Sequence, residues 1–331
     1  MSPYKERIAV VLLQLGGPDN LAAVEPFLYN LFCDPDIIDI PGAFLFRKRL
    51  ARMISTRRAP KVQELYKRIG NRSPILKQTK LQADRLLERL RGKGYTVDVH
   101  IAMRYWHPLT DVAVQNVFDS KPDRIVLLPL YPHYCKATTG SSVNEWNRTI
   151  KRLNMPEIPT TLIEHYYDHP LYIEAMVNRI RCALNRVPKN ERSKVQIVFS
   201  AHGTPMKLVR DGDPYSHHIR KTYELVVEKG QFGLPHALCF QSKVGPQKWL
   251  TPSLVETIDR LGHAGATHLL VVPIAFVTDH IETLSEINIE ARDEALKLGV
   301  KYYDMMPALL TEESFIECLS DLVEKRLSTP Q

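Results

Sequence analysis

The sharpest change of pattern along the chain falls at residues 195–205, VQIVFSAHGTP. A run of β-branched and aromatic residues there fits a strand buried on both faces. It stops at Ser200-Ala201-His202-Gly203-Thr204-Pro205, where small residues, Gly and Pro end a strand. That grammar delivers His202 to the carboxyl edge of a parallel α/β sheet, where such folds put their ligands. The competing reading is a capped core histidine in a strand-to-helix turn.

The rest of the chain repeats this alternation. Residues 8–15 predict a strand closed by Gly16-Gly17-Pro18, followed by a helix over about 21–32. Residues 62–69 predict a helix stopping at Gly70, and Ser73-Pro74 opens another that runs to about Leu90. Strands are expected at 97–103 and 124–130, with helices at 109–118 and 143–153. In the second half, strand 195–200 precedes a helix over 214–228, strands 236–241 and 268–274, and a helix from about Asp279 to Leu298. The strand ends correspond in order: Gly16-Gly-Pro18 with His202-Gly-Thr-Pro205, Arg104-Tyr-Trp106 with Ser242 to Trp249, and Leu-Leu-Pro129-Leu with Val-Val-Pro273-Ile. The expected fold is therefore α/β, two Rossmann-like, doubly wound parallel lobes of similar topology with a cleft between their strand ends. Lobe one spans 1–150, lobe two spans 155–310, and a last helix over about 312–327 returns to lobe one.

Size and composition narrow the classes. A chain of 331 residues exceeds what one core usually serves. Its five cysteines are scattered and odd in number, which argues against a disulfide framework or a zinc ribbon. No run approaches the roughly 20 apolar residues of a membrane span. The net charge of +7 equals the seven basic residues between Pro41 and Lys61 (Arg47, Lys48, Arg49, Arg52, Arg57, Arg58 and Lys61), a segment with no acid. Charge so confined does not describe a nucleic-acid binder. In residues 37–56 apolar positions interleave with these bases. That is the pattern of a helix packed on the core with a solvated face, or of an element lying on an anionic membrane.

Candidate chemistry gathers at the strand ends. After strand 268–274 come Asp279, His280 and Glu282, then Glu286 and Glu290 in one helical row. Asp279 and Glu282 form a plausible capping box, which is the structural alternative. Three stacked glutamates beside a histidine exceed what a cap needs. Imidazole with carboxylate suits a borderline divalent metal such as Fe²⁺, and crowded carboxylates raise one another's pKa and can relay protons. Arg58, Tyr66, Arg104, Tyr105, Tyr131 and Trp249 could line a flat, apolar, anionic ligand. His165–His169 and His217-His218 read as structural. No dinucleotide, P-loop, serine-hydrolase or zincin motif is present.

With these residues in view, the chain resembles the ferrochelatases, which insert ferrous iron into a porphyrin. The matching stretches are LLQLGGPDN (12–20), RRAPKVQELYKRIGNRSPI (57–75), RYWHPLT (104–110), YPHYCKATTGSS (131–142), FSAHGTP (199–205), DGDPY (211–215), FQSKVGPQKWLTP (240–252) and VPIAFVTDHIETLSEINIE (272–290). The resemblance implies that His202 and Glu282 are the iron-site pair, with His280 beside them as a third catalytic group. It implies that Asp279, Glu286 and Glu290 continue a proton or metal path. Arg58, Tyr66 and Ser73 fall on positions that contact the porphyrin, and Arg104, Tyr105, Tyr131 and Trp249 would line the same pocket. Stretch 37–58 resembles the family's pocket lip, which rests on a membrane.

The expected activity is insertion of Fe²⁺ into protoporphyrin IX to make protoheme, in a bacterial-type enzyme, cytoplasmic or peripheral on the inner face of the membrane. The alternatives are a coproporphyrin or cobalt chelatase of the same fold, and a non-catalytic tetrapyrrole carrier, which would not need His202, His280 and the glutamate row together. No cofactor is expected, because Fe²⁺ is a substrate. Some members hold a [2Fe–2S] cluster on cysteines of a C-terminal extension. Here only Cys318 lies in that region and Lys136 occupies the cluster position of the Tyr131 motif, so no cluster is expected.

Overall fold

The computed structural model describes residues 5–37, 46–243 and 247–328. It divides into two compact units. The first comprises residues 1–165 and 316–331, the second residues 166–315.

The first unit opens with β1 (Arg7–Gln14), buried from Ile8 onward. It continues through α1 (Val24–Cys33), α2 (Arg47–Arg68), α3 (Ile75–Gly92), β2 (Thr96–Met103), α4 (Thr110–Asp119) and β3 (Arg124–Pro129). A π-helical turn, Lys136–Gly140, leads into α5 (Ser141–Arg152), and the short β4 (Thr160–Leu162) completes the sheet. The strands are all parallel in the order β2-β1-β3-β4. One face of the sheet packs Ala9, Val11 and Leu13 with Val114, Val117, Leu127 and Trp146. Burial of this kind, worth about 25 cal/mol per Å² of apolar surface, is what holds the layers together.

The second unit runs through α6 (Pro170–Arg186), β5 (Val195–His202), α7 (Met206–Arg210), α8 (Tyr215–Gly230), β6 (His236–Gln241), α9 (Leu254–His263) and β7 (His268–Pro273). A π-helical segment, Glu282–Ala291, then passes into α10 (Arg292–Lys297), and β8 (Tyr302–Met305) closes the sheet. The order is β6-β5-β7-β8, again all parallel. Both sheets thus share one strand order, the doubly wound topology expected from the repeat. The chain ends in α11 (Glu313–Ser328), most of which belongs to the first unit. There Glu317 pairs with Arg89 at 2.6 Å and Lys93 at 2.7 Å, and Arg124 donates to the carbonyls of Arg326 and Leu327 at the helix end.

Two expectations need correction. Residues 62–69 are not a separate helix but the last turns of α2, which runs unbroken through Pro60. Proline inside a helix typically costs about 3 kcal/mol. Here Ala51, Ser55, Ala59 and Tyr66 are buried along one side, and Gln63 donates to the Leu21 carbonyl at 3.0 Å, so tertiary packing carries the break. The row from Glu282 to Glu290 lies on a π-helical segment rather than an α-helix. His165–His169 lies outside any helix, and Pro170 is the first residue of α6; His169 caps it by accepting from the Leu171 amide at 3.3 Å.

Candidate active site

His202 is the last residue of β5. Gly203 after it tolerates no side chain: a Cβ there would meet the Gln241 carbonyl oxygen at 2.9 Å and the Trp249 ring at 3.4 Å. The Gly203-Thr-Pro205 turn is pinned to residues 248–250 by Met206 N to Lys248 O at 2.8 Å and Leu250 N to Thr204 O at 3.1 Å. The backbone that carries His202 is therefore held on both sides, and Tyr215 Oη donates to the His202 carbonyl at 3.0 Å.

The ring of His202 is oriented by its own turn. Nδ1 lies 2.6 Å from the Gly203 carbonyl oxygen, which can only accept, so Nδ1 carries the proton. In the neutral imidazole Nε2 is then the bare lone pair, and it faces Glu282 Oε1 at 3.6 Å. The other carboxylate oxygen, Oε2, lies 3.5 Å from His280 Nε2. Glu282 thus stands between two imidazoles. A lone pair and a carboxylate turned toward each other at this range are complementary to a cation between them, a proton or a divalent metal.

The neighbours grade the acidity. Burial holds the His280 imidazole below its ordinary pKa, so it is neutral, and its Nδ1 is buried without a hydrogen-bond partner. The Phe276 ring meets it edge-on at 4.5 Å. Asp279, also buried, has its carboxyl pushed up by burial and accepts from the Thr283 hydroxyl at 3.3 Å. The capping-box alternative is not realised: Ile281 occupies the cap position, and no side chain caps the segment. Glu286 is pushed up to about 7, first by burial and then by the charge of Glu282. Its Oε2 accepts from Ser242 Oγ at 2.5 Å. Glu290 is exposed and bound by Ser285 Oγ at 2.9 Å. The row therefore runs from half-buried Glu282 through proton-sharing Glu286 to Glu290 in solvent. Ser242 and Phe276 were not singled out beforehand. Phe276 meets His280 across the non-helical turn that follows β7, and Ser242 reaches Glu286 only through the tertiary fold.

The aromatic and basic candidates fall mostly in the first unit. Arg58 is exposed on α2, its guanidinium 5.6 Å from the Phe32 ring centroid. Tyr66 and Ser73 are buried, with Ser73 N bonded to Pro18 O at 2.8 Å. Tyr131 is half-buried, its hydroxyl enclosed and its pKa raised by burial. Tyr105 is a different case from the pocket wall expected of it. It is 1% exposed, and its hydroxyl is committed to Asp34 Oδ2 at 2.5 Å, so in this structure it presents no face to a ligand. Arg104 is ion-paired with the same carboxylate at 3.0 Å. Trp249, in the second unit, packs against the Gly203 turn. The lip expected at 37–58 lies partly outside the described residues; its described part shows Ile37, Phe46 and Met53 exposed. Among the described residues no helix is long and apolar enough to cross a membrane, and no three or more His, Cys, Asp or Glu side chains are grouped to hold a metal ion.

The chain matches the Ferrochelatase family over residues 7–327. It is 45% identical over 319 residues to a ferrochelatase of Geotalea daltonii, covering 96% of this chain and 98% of the relative. It is 46% identical to one of Geobacter metallireducens, covering 97% and 98%, and 44% identical to one of Picosynechococcus, covering 97% and 83%. Among solved structures it resembles SirB from Bacillus subtilis with Fe³⁺, at a TM-score of 0.56 and 13% identity over 97% of this chain and 96% of that one, a likeness of fold. The same arrangement of two parallel sheets recurs in the sirohydrochlorin chelatase SirB in complex with cobalt, at a TM-score of 0.53 and 11% identity over 98% of this chain and 97% of that one. The family match over residues 7–327 and the relatives at 44–46% identity place the chain in the ferrochelatase family.

Proposed function

We infer that the protein inserts Fe²⁺ into protoporphyrin IX to form protoheme, and that His202, Glu282 and His280 perform the proton and metal steps. The observation that supports this most directly is the bare Nε2 of His202 facing the Glu282 carboxylate at 3.6 Å. Insertion requires that the ring bend, that two pyrrole N–H protons leave and that Fe²⁺ shed water. His202 Nε2 takes the two pyrrole protons one at a time, its Nδ1 being held by the Gly203 carbonyl, and hands the first to the Glu282 side before it takes the second. Glu282 shares that proton or pairs with the arriving cation, and His280, neutral, supplies a second nitrogen toward it. Glu286, with a pKa of about 7, passes protons onward to Glu290 and solvent. Asp279 holds the start of this row through Thr283.

On the ring side, Arg58 and Tyr131 of the first unit and Trp249 of the second are the proposed porphyrin contacts; Tyr66 and Ser73, buried like Tyr105, are not. Arg58 offers an exposed guanidinium to a propionate. Arg104 and Tyr105 are committed to Asp34. The enzyme works without a resident cofactor in this reading.

Exposed Phe46 and Met53 among Arg47, Lys48, Arg49 and Arg52 support peripheral contact with an anionic membrane on the cytoplasmic face. Sedimentation with phosphatidylglycerol vesicles tests it. Binding should fall with salt and with Met53→Asp; no binding at low salt would refute it.

The central experiment is anaerobic incubation with protoporphyrin IX and Fe²⁺, following the free-base visible bands. Turnover in the wild type that is absent in Glu282→Gln establishes the chelatase. Turnover with coproporphyrin alone would reassign the substrate, and saturable binding without turnover would make the protein a carrier.

A further inference from the structure

Behind the ring-side residues lies a buried carboxylate to which no function has been given. Asp34 terminates α1, and its side chain is wholly buried. Its oxygens collect four partners from three separate parts of the first unit. Tyr105 Oη donates at 2.5 Å and the Arg104 guanidinium pairs at 3.0 Å, both from the end of β2. Ser141 Oγ donates from the start of α5, and the Asp36 amide donates at 2.9 Å from the segment leading away from α1. Burial alone would push this carboxyl up. The Arg104 charge and the hydrogen bonds from Ser141, Tyr105 and the Asp36 amide outweigh it and hold the group below the ordinary carboxylate range, so it is ionised.

The neighbourhood is built around the same point. Arg104 Nε donates to Ser141 Oγ at 2.8 Å, and Asn30 on α1 donates to the Tyr105 carbonyl at 3.0 Å. Asp36 accepts from Asn144 at 2.9 Å and from Arg148 at 3.1 Å, both on α5. The Asp34 carbonyl accepts from Arg47, the first residue of α2, at 3.3 Å. The carboxylate thus ties the end of α1 to the sheet edge and to α5, while the backbone carbonyl of the same residue meets the root of α2. Two residues before Asp34, Phe32 carries the Arg58 guanidinium over its ring.

We propose that Asp34 is a positioning residue for the porphyrin: by fixing the end of α1 it sets Phe32, and through Phe32 the aim of Arg58. Asp34 touches no substrate and acts only through these neighbours. The inference rests on the ring-side role given to Arg58 above. A buried, paired carboxylate is costly to assemble and conveys specificity of geometry rather than net stability. Here the geometry it specifies is that of α1 and α2.

The test is Asp34→Asn in the full chain, which removes the charge at nearly constant volume. Steady-state kinetics with protoporphyrin IX and Fe²⁺ should show a porphyrin KM raised about tenfold, with kcat and the iron KM within twofold of wild type. Quenching of porphyrin fluorescence on binding, read without iron, should give the same tenfold loss. Loss of packing alone would lower the amount of folded enzyme and so kcat, not porphyrin affinity. Should Asp34→Asn fail to fold, Tyr105→Phe removes one donor without altering charge and should raise the porphyrin KM twofold to threefold. A porphyrin KM unchanged in the variant that folds, or a fall in kcat alone, overturns the proposal. Failure of the functional reading is seen separately, as a wild type that does not metallate porphyrin.

Discussion

The two sheets share a strand order but not a chemistry, and a one-residue difference in register separates them. In the first, Leu13 of β1 lies level with Pro129, the end of β3, so Gln14 stands one residue beyond it. In the second, Ser200 of β5 lies level with Pro273, the end of β7, so His202 stands two beyond. Gln14 is buried, and its side chain folds back to accept from the Leu15 amide at 2.9 Å. The His202 side chain is 35% exposed and faces a carboxylate. Because side chains alternate along a strand, one residue of overhang decides which group the strand end presents. The same scaffold, used twice, offers a closed end in one unit and a reactive end in the other.

The largest expected effect comes from removing what is peculiar to the second unit. His202→Ala and Glu282→Gln should each lower kcat by at least 10²-fold, the usual worth of a positioned proton-transfer group, while porphyrin binding measured by fluorescence stays within a few-fold of wild type. Retained activity in either would sink the assignment. The glycines that permit the two turns come next. Gly203→Ala forces a Cβ to 2.9 Å from the Gln241 carbonyl. Gly17→Ala, its counterpart in the first unit, forces one to 2.6 Å from Ser73 Oγ and 2.7 Å from Ser73 Cβ, and Ser73 is itself held by its amide's bond to Pro18 O. Thermal unfolding should show a loss of about 1–3 kcal/mol for each. A loss in only one of them would mean that the other strand end yields to the added methyl.

Glu286 sharpens the comparison through pH. Its carboxyl ionises in the unfolded chain near its ordinary value of 4.5 and in the folded protein only at about 7. Between those values the unfolded state holds fewer protons, so the group's contribution to stability falls as pH rises and levels off above 7. Glu286→Gln should therefore unfold at a higher temperature than wild type at pH 8, by an amount equivalent to about 3 kcal/mol, and match it near pH 4.5. A difference that is constant with pH would refute the raised pKa. The smallest effect is expected from Glu317→Ala, which removes part-exposed pairs with Arg89 and Lys93 in the first unit and should cost under about 1 kcal/mol in denaturant unfolding.

Much of the scaffold was legible because parallel strands buried on both faces announce themselves. Ile8 to Leu13, Ile125 to Leu128 and His268 to Val272 are unbroken apolar or β-branched runs followed by Gly or Pro. The edge strands β4 and β8 were not, since TTL and YYDM are three and four residues long and half-polar. The continuity of α2 through Pro60 escaped because a local rule was overridden by packing on α1. At the site, His202 and the glutamate row could be read from spacing. The π-helical hydrogen bonding could not, because it shows in backbone pairing rather than in residue type. Asp34 was invisible for a similar reason: its partners lie about 70 and 107 residues away, and a single Asp after a helix looks like any loop acid.

The placement of α11 has a consequence for how the protein is made. Its side chains at Ile316, Cys318, Leu319 and Val323 are buried, and from Ile316 on it belongs to the first unit. A ribosome therefore delivers the contiguous second unit whole before it delivers the last piece of the first. The unit begun earliest is finished latest, and until Glu317 emerges the α3 residues Arg89 and Lys93 await their partner. A chain released at residue 315 should accordingly protect the second unit from protease while leaving the first open to cleavage.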